Sequence, residues 1–391
     1  MGGRTRTELR SEEATRLAGL AAATEEEATV SHGLTITQIA EPRKPMAGRG
    51  RVRHPEGVPL LPVSPDDPAS VAALVAIHNA AQRADDPDGF DWLPATAADE
   101  LRYGWDLQPE EHFLYRPDGG DQPVAALAVD MPKRDNLHLV WLQLLVHPDH
   151  RRRGHGTAVM AEALRMVEQA GRHTVWVGTV EDDLGARKFA ERFGFGYASH
   201  DARRRQWLAE VDQDTVTRLH AEAEAAATDY AVERLLPPVS DETLQQMVEV
   251  TAAINDAPMG TLTFEDEVFD LGRLQDIETA RSRKGHRSYR VVARHRATGE
   301  IGGHTQVVIN PHRPRVGLQA DTAVSRAHRG HRLGLLLKSD MMRWLAGTEP
   351  QLEVLETWNN ADNRFMIAVN ELLGYRLSNT FATYELTLPS A

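Results

Sequence analysis

Two stretches of this chain, LLVHPDHRRRGHGTAVMAEAL (Leu144 to Leu164) and DTAVSRAHRGHRLGLLLKSDMM (Asp321 to Met342), are versions of one pattern. Each reads as an apolar strand, a tight Arg/Gly turn and an amphipathic helix. A shift of 178 residues puts Arg151 on Arg329, Val146 on Val324 and Gly156 on Gly334. A strand that ends in such a turn and feeds a helix N-terminus is a site for phosphate, because free backbone N–H groups and the helix dipole converge there. Two copies make the chain a tandem of one fold.

The chain has 391 residues, enough for two or three domains with real cores. It contains no cysteine, which excludes disulfides, thiolate zinc sites and a cysteine acyl-enzyme. No apolar run approaches membrane-spanning length and the first residues lack a signal-peptide core, so a cytoplasmic protein without a membrane partner is expected. The formal charge of −13 argues against nucleic acid and modestly favours cationic partners such as amines. An acidic surface that serves solubility alone is the blander reading.

Residues 1–56 read as a flexible leader, with one amphipathic helix (Thr7 to Ala28) and then the Pro/Gly/Arg-rich EPRKPMAGRGRVRHPEG. Residues 57–208 form a first domain: a helix, two strands around the turn at 117–120, the strand LHLVWLQLLV, a helix stopped at Gly171, the strand HTVWVGTV, a short helix and GFGYAS. Residues 209–232 are helix-prone and read as a connector. Residues 233–391 repeat the order, with a hairpin around 297–299, the strand VGLQADTAV and a helix stopped at Gly347. The fold class is mixed α/β, used twice.

With those residues in view, the chain resembles the GNAT family of acetyl-CoA-dependent acyltransferases. The family motif Arg/Gln-x-x-Gly-x-Gly/Ala is matched by Arg151, Gly154 and Gly156, and its later motif by DDLGARKFAERFGF and NNADNRFMIAVNELLGY. The resemblance implies an α+β mixed-sheet GNAT fold in two tandem copies, with acetyl-CoA as acyl donor. It also implies splayed central strands between which pantetheine lies, and a bulge in the fourth strand beside the thioester. The implied cofactor residues are Val146, Arg151, Arg152, Arg153, Gly154, His155 and Gly156 in the first copy. In the second they are Val324, Arg329, Gly330, His331, Arg332, Leu333, Gly334 and Asn363.

The copies depart from the family differently. Gln143 stands where the second copy has Asp321, and Asp183 where it has Asn363. Ala190 and Asn370 occupy the position at which many members carry a tyrosine, and Arg332 replaces the first glycine of the second turn. Amine acylation needs a neutral nucleophile, hence a proton acceptor. Asp321 is the candidate base, with a strand-end cap as its structural alternative. Protonation of the leaving thiolate falls to Tyr375 or to water. The expected function is acetyl transfer from acetyl-CoA to a primary amine, small-molecule or peptide, by direct attack in a ternary complex. The C-terminal half is expected to be catalytic and the other degenerate. The alternative is a non-catalytic acyl-CoA-binding sensor or scaffold. Oligomeric state stays open.

Other features have bland and sharp readings. The acidic groups Asp85, Asp86, Asp88, Asp91 and Glu265, Asp266, Glu267, Asp270 are solvated loops or a lining for a cationic substrate. His138, His147, His150 and His155 fit no metal motif, so no metal is expected. Arg203 to Arg205 form a solvent-facing run or touch the 3′-phosphate of CoA. Trp176 and Trp358 pack, and Met160, Met166, Met341 and Met342 are core by spacing.

Overall fold

The protein is described by a computed structural model over residues 58–258 and 261–389; the expected leader and its helix lie outside the described residues. In chain order come β1 (Leu60–Pro62), α1 (Pro68–Asp85), α2 (Pro94–Tyr103), β2 (Glu111–Tyr115), β3 (Ala125–Asp130), β4 (Leu139–Val146), α3 (His155–Gln169), β5 (Thr174–Val180), α4 (Leu184–Arg192) and β6 (Gly196–Trp207). The repeat follows as α5 (Gln213–Ala226), β7 (Tyr230–Leu235), α6 (Asp241–Ala252), α7 (Leu271–Arg283), β8 (Arg287–His295), β9 (Ile301–Ile309), β10 (Val316–Val324), α8 (Leu333–Thr348), β11 (Val354–Asn360), α9 (Arg364–Leu372) and β12 (Arg376–Thr387).

Side-chain caps start the helices. Asp67 accepts from the Ala69 and Ser70 N–H groups ahead of α1, and Asp212, Ser240 and Asp270 cap α5, α6 and α7 in the same way. Two helices, α2 and α7, are not evident from apolar periodicity. The inward face of α2 offers only Ala97 and Leu101, and that of α7 interleaves Arg273 and Arg281 with Leu274, Ile277 and Ala280. A buried stripe that is short or interrupted by arginine gives a weak hydrophobic signal.

The chain forms two compact units, and neither is a contiguous half. One comprises residues 58–200 with 261–268 and 379–389; the other comprises 201–258 and 269–378. In the first, strands run in the order β1-β2-β3-β4-β5-β12, and β12 pairs antiparallel with β5 from Phe381↔Val180 to Thr387↔Thr174. In the second the order is β6-β11-β10-β9-β8-β7, and β6 pairs antiparallel with β11 from Trp207↔Val354 to Asp201↔Asn360. Each unit therefore includes the strand that closes the other half of the sequence. The expected connector at 209–232 holds α5, whose Val216, Leu219 and Ala223 belong to the core of the second unit.

In the first unit, α3 packs Val159, Met160, Ala163 and Val167 against Leu127, Val140, Leu142 and Val175. The opposite face carries α1 and α2, packed on Leu114, Ala126 and Leu145. In the second, α8 is buried on nearly every side, and Leu336, Leu337 and Met341 meet Val291, Val307 and Ile309. Truncating such a leucine costs about 2–5 kcal/mol. Trp176 and the central-helix methionines Met160, Met341 and Met342 are buried as expected. The arginine run is not solvent-facing. Arg203, Arg204 and Arg205 are all buried, because the sheet is covered on both faces: Arg205 pairs with Glu356 at 2.7 Å and Arg203 lies 5.7 Å over the Trp358 ring.

Candidate active site

The two Arg/Gly turns share a backbone. Arg152 and Gly154 adopt positive φ of 62° and 88° in the first, and Gly330 and Arg332 adopt 86° and 55° in the second. Both turns use two left-handed positions two residues apart, and each fills one with glycine and the other with arginine. Left-handed residues before a helix N-terminus turn successive N–H groups towards one concavity, the arrangement that takes an anion. The Arg332 substitution thus preserves the turn at the cost of a left-handed non-glycine.

The motif arginine holds this turn in place. Arg151 Nε donates to the Val146 carbonyl at 3.0 Å, and its Nη1 and Nη2 donate to Asp85 Oδ1 and Oδ2 at 2.7 and 2.6 Å. Arg329 repeats the device, with Nε on the Val324 carbonyl at 3.2 Å and Nη2 on Asp256 Oδ2 at 2.7 Å. These guanidiniums, expected at phosphate, clamp the strand end to the first helical region instead. Arg152 and Arg153 are exposed beside the first turn, and a Cβ at Gly154 would meet nothing within 4 Å. The turn is open enough to receive a ligand.

The central strands splay in both units. Parallel pairing of β4 with β5 ends at Leu142↔Val177, and that of β10 with β11 ends at Leu318↔Glu356. Beyond those points the units differ. Gln143 and Gly178 are exposed, and Leu144 to Val146 with Thr179 and Val180 are half-buried, so the first cleft is open. Gln319 to Val324 are all buried, as are Thr357, Asn359 and Asn360, and Thr357 Oγ1 donates across the gap to the Gln319 carbonyl at 3.3 Å. The second cleft is filled by protein. The β10 ladder against β9 shifts register between Gln319 and Thr322, a bulge that β4 lacks against β3.

Register then identifies the face beside the open cleft. Leu114, Ala126 and Leu145 lie under α1 and α2, so residues two positions along each strand share their side. His112, Ala128 and Gln143 form the next row, and Asp130 opposite Trp141 the one after, with Glu110 one step before β2. Glu110 is pushed up to about 7, first by burial and then by the charges of Asp130 and Glu100. Asp130 is raised to about 6 by burial and by Asp106. The Glu110 side chain nevertheless retains 35% exposure, so it is reachable from the cleft. His112 is held down to about 4 by burial, is neutral, and has no partner at Nδ1 among the described residues. Trp92 lies between His112 and His78, with ring centroids 6.0 and 5.0 Å away. Residues 261–268 complete this wall: Phe264 lies 5.7 Å from Trp176, and Thr263 bonds Glu385 through its N–H and hydroxyl, both at 2.8 Å.

Glu110 and Asp130 stand in no motif, and motif reading missed them. The available signal was the two-residue alternation that carries the buried face of Leu114 and Ala126 outward to both carboxylates. Of the acidic groups that were singled out, Asp85 clamps Arg151, Asp270 caps α7, and Asp86 accepts from Asn379 Nδ2 at 2.8 Å.

The residues expected to work in the C-terminal half are enclosed. Asp321 is 6% exposed beside the bulge and faces Arg281. Tyr375 is 2% exposed, and its hydroxyl has no partner among the described residues. Its ring lies 5.1 Å beneath the ammonium of Lys338, which is also buried. Asn363 and Asp183 are the N-caps of α9 and α4: Asn363 Oδ1 accepts from the Met366 N–H at 3.1 Å, and Asp183 Oδ1 from the Gly185 and Ala186 N–H groups. Val324, Leu333 and Gly334 are buried, while His331 and Arg332 are half-buried. Among the described residues no group of His, Asp or Glu side chains is placed to hold a metal ion, and no helix is long and apolar enough to cross a membrane.

Residues 73–195 match the acetyltransferase (GNAT) family. Over 56 residues the chain is 48% identical to a mycothiol acetyltransferase of Saccharomonospora viridis, a stretch that is 14% of this chain and 17% of that relative. Among solved structures, a tandem GNAT protein from the clavulanic acid biosynthesis pathway is similar across 85% of this chain and 99% of its own, at 25% identity and a TM-score of 0.69. A GCN5-related N-acetyltransferase from Sphaerobacter thermophilus shares the fold, at 16% identity and a TM-score of 0.56 over 85% of this chain and 98% of its own.

Proposed function

From a chain that is a tandem GNAT protein with an acetyltransferase domain at residues 73–195, we propose an enzyme that moves acetyl from acetyl-CoA to a primary amine in its N-terminal half. The observation that carries this reading is the open cleft of that half, with a desolvated carboxylate pair beside it. The C-terminal half, filled by its own side chains, is then the degenerate copy, the reverse of the assignment that Asp321 suggests by sequence alone.

The residues present fit the donor. The left-handed turn at Arg152 and Gly154 and the first N–H groups of α3 would hold the pyrophosphate, while Arg152 and Arg153 would add charge-assisted contacts. The edges left unpaired past Leu142 and Val177 would take the amide groups of pantetheine. Bound acetyl-CoA supplies the thioester. The amine arrives as an ammonium ion and passes its proton to Glu110, whose carboxylate is matched to neutral pH. The neutral nitrogen would then bond to the thioester carbonyl carbon, the C–S bond would break, and the second proton of that nitrogen would pass through water to the leaving thiolate. Asp130 keeps Glu110 basic by like charge, and the indoles of Trp92 and Trp141 offer faces to a cation.

Glu110→Gln keeps shape and removes the proton acceptor. Its expected effect is a fall in kcat of about 100-fold with the acetyl-CoA affinity unchanged, and loss of the acid limb near pH 7. An unchanged kcat and pH profile would overturn the assignment of Glu110. A wild-type chain that binds acetyl-CoA but acetylates no member of a broad amine panel would support the sensor or scaffold reading. That alternative draws on the absence of a tyrosine at both Ala190 and Asn370.

A further inference from the structure

The C-terminal unit carries a second polar site that the proposed reaction does not use. It lies on the sheet face opposite the α8 core, between α7 and strands β8 to β10. Arg281 and Arg290 are buried there, with Glu278 shared between them: Arg290 Nη2 donates to Glu278 Oε1 at 2.9 Å, and Arg281 Nη1 lies 3.6 Å from the same oxygen. Asp321 is the further charge that acts on Arg281. Glu278 and Asp321 are thus the two carboxylates that oppose the charge of Arg281, against the like charge of Arg290.

The hydrogen bonding of this cluster is incomplete. Arg281 Nη1 donates to Gln306 Oε1 at 2.7 Å, which fixes the amide so that Gln306 Nε2 points elsewhere. Among the described residues that Nε2 has no partner, nor has Arg290 Nε, nor Ser288 Oγ. These three residues are 1%, 6% and 3% exposed. Ser288 and Arg290 alternate on one face of β8, and Gln306 is the direct cross-strand partner of Arg290, so the three groups are neighbours. Two of the groups can only donate, and the third is able to. Buried donors without partners cost about 1–3 kcal/mol each, so an oxygen acceptor that reached these groups would recover that cost.

We infer that this site binds a small neutral molecule through an amide-type carbonyl oxygen, the chemistry of a carboxamide or an N-acyl amine. An additional anion would tip a cluster in which Glu278 and Asp321 already oppose the charge of Arg281, whereas a neutral carbonyl satisfies the donors without adding charge. The inference is independent of the N-terminal site.

The test uses the full chain and two probes of equal size, N-methylacetamide and acetate, at constant ionic strength. Side-chain nitrogen resonances of Arg290 Nε and Gln306 Nε2 report binding. N-methylacetamide is expected to shift both saturably. Ser288→Ala should raise its dissociation constant about threefold, and Gln306→Glu about tenfold. Gln306→Glu keeps the acceptor for Arg281 while replacing the open donor with an oxygen. Ser288→Ala removes only a hydroxyl and guards against a variant that fails to fold. No saturable shift would mean that water alone satisfies these donors, and would overturn the inference. Tighter saturable binding of acetate would overturn its neutral character. Unaltered binding in both folded variants would place the probe elsewhere.

Discussion

Glu110 and Lys338 are buried ionisable groups brought towards neutrality from opposite directions. Glu110 is raised to about 7, so the fold favours its protonated form. Its contribution to stability is present below the unfolded value of 4.5 and is lost as pH rises through 7, the range in which the proposed reaction needs the carboxylate. Lys338 is lowered to about 7 by burial alone. Between 7 and its ordinary 10.5 the unfolded chain binds the proton and the fold does not, so stability from this group rises with pH, by about 1.4 kcal/mol per pH unit. Lys338→Met, similar in volume, is expected to raise the midpoint of urea unfolding at pH 7 and to remove the gain between pH 7 and 9. An unchanged pH dependence in the variant would contradict this account. Neither residue was legible as a titrating group in the sequence. Lys338 sits in the run LGLLLKSDMM, where apolar spacing identifies the helix but gives no measure of how completely its polar member is enclosed.

At the scale of elements, the strand–turn–helix units were legible because local chemistry dictates them: a strand ending at Val146 or Val324, a turn with two left-handed residues, and an apolar helix. The sequence reading placed Arg151 and Arg329 correctly in the turn but assigned their guanidiniums to phosphate. The partners that claim them, Asp85 and Asp256, are about 70 residues away in sequence, and no local pattern links them. Helices α2 and α7 escaped for a different reason, since their inward faces are short or interrupted by arginine. Arg151→Leu should free the Val146 carbonyl and leave Asp85 without its bidentate partner. Expected results are a loss of about 1–3 kcal/mol in stability and roughly tenfold weaker acetyl-CoA binding. Arg329→Leu should lower stability alone. Equal effects of both variants on acetyl-CoA affinity, measured by equilibrium titration, would contradict the assignment of the working cleft to the N-terminal half.

For the whole molecule, tandem duplication was legible and the crossing of strands was not. β6 and β12 read correctly as strands, but pairing partners depend on tertiary context, and a strand pattern alone does not name its neighbour. The consequence is testable. A chain ending at Ser378 lacks the Phe381 to Thr387 strand that pairs with β5, so Val175, Trp176 and Val177 lose their neighbour. Unfolding of the unit built on residues 58–200 is expected at markedly lower temperature, while the unit built on 201–258 and 269–378 keeps its transition. A single unaltered transition would argue against the exchange. The two copies also carry different chemistry on corresponding faces: Glu110 and Asp130 in one, Arg281 and Arg290 with Asp321 in the other.

The most direct measurement is a calorimetric titration of the full chain with acetyl-CoA, repeated on Gly154→Asp and Arg332→Asp. Aspartate tolerates the left-handed conformation and sets a carboxylate in the turn where the pyrophosphate would lie. One site per chain, abolished by Gly154→Asp and untouched by Arg332→Asp, is the predicted result. A site that survives Gly154→Asp and disappears with Arg332→Asp would place the donor in the C-terminal half and contradict the account.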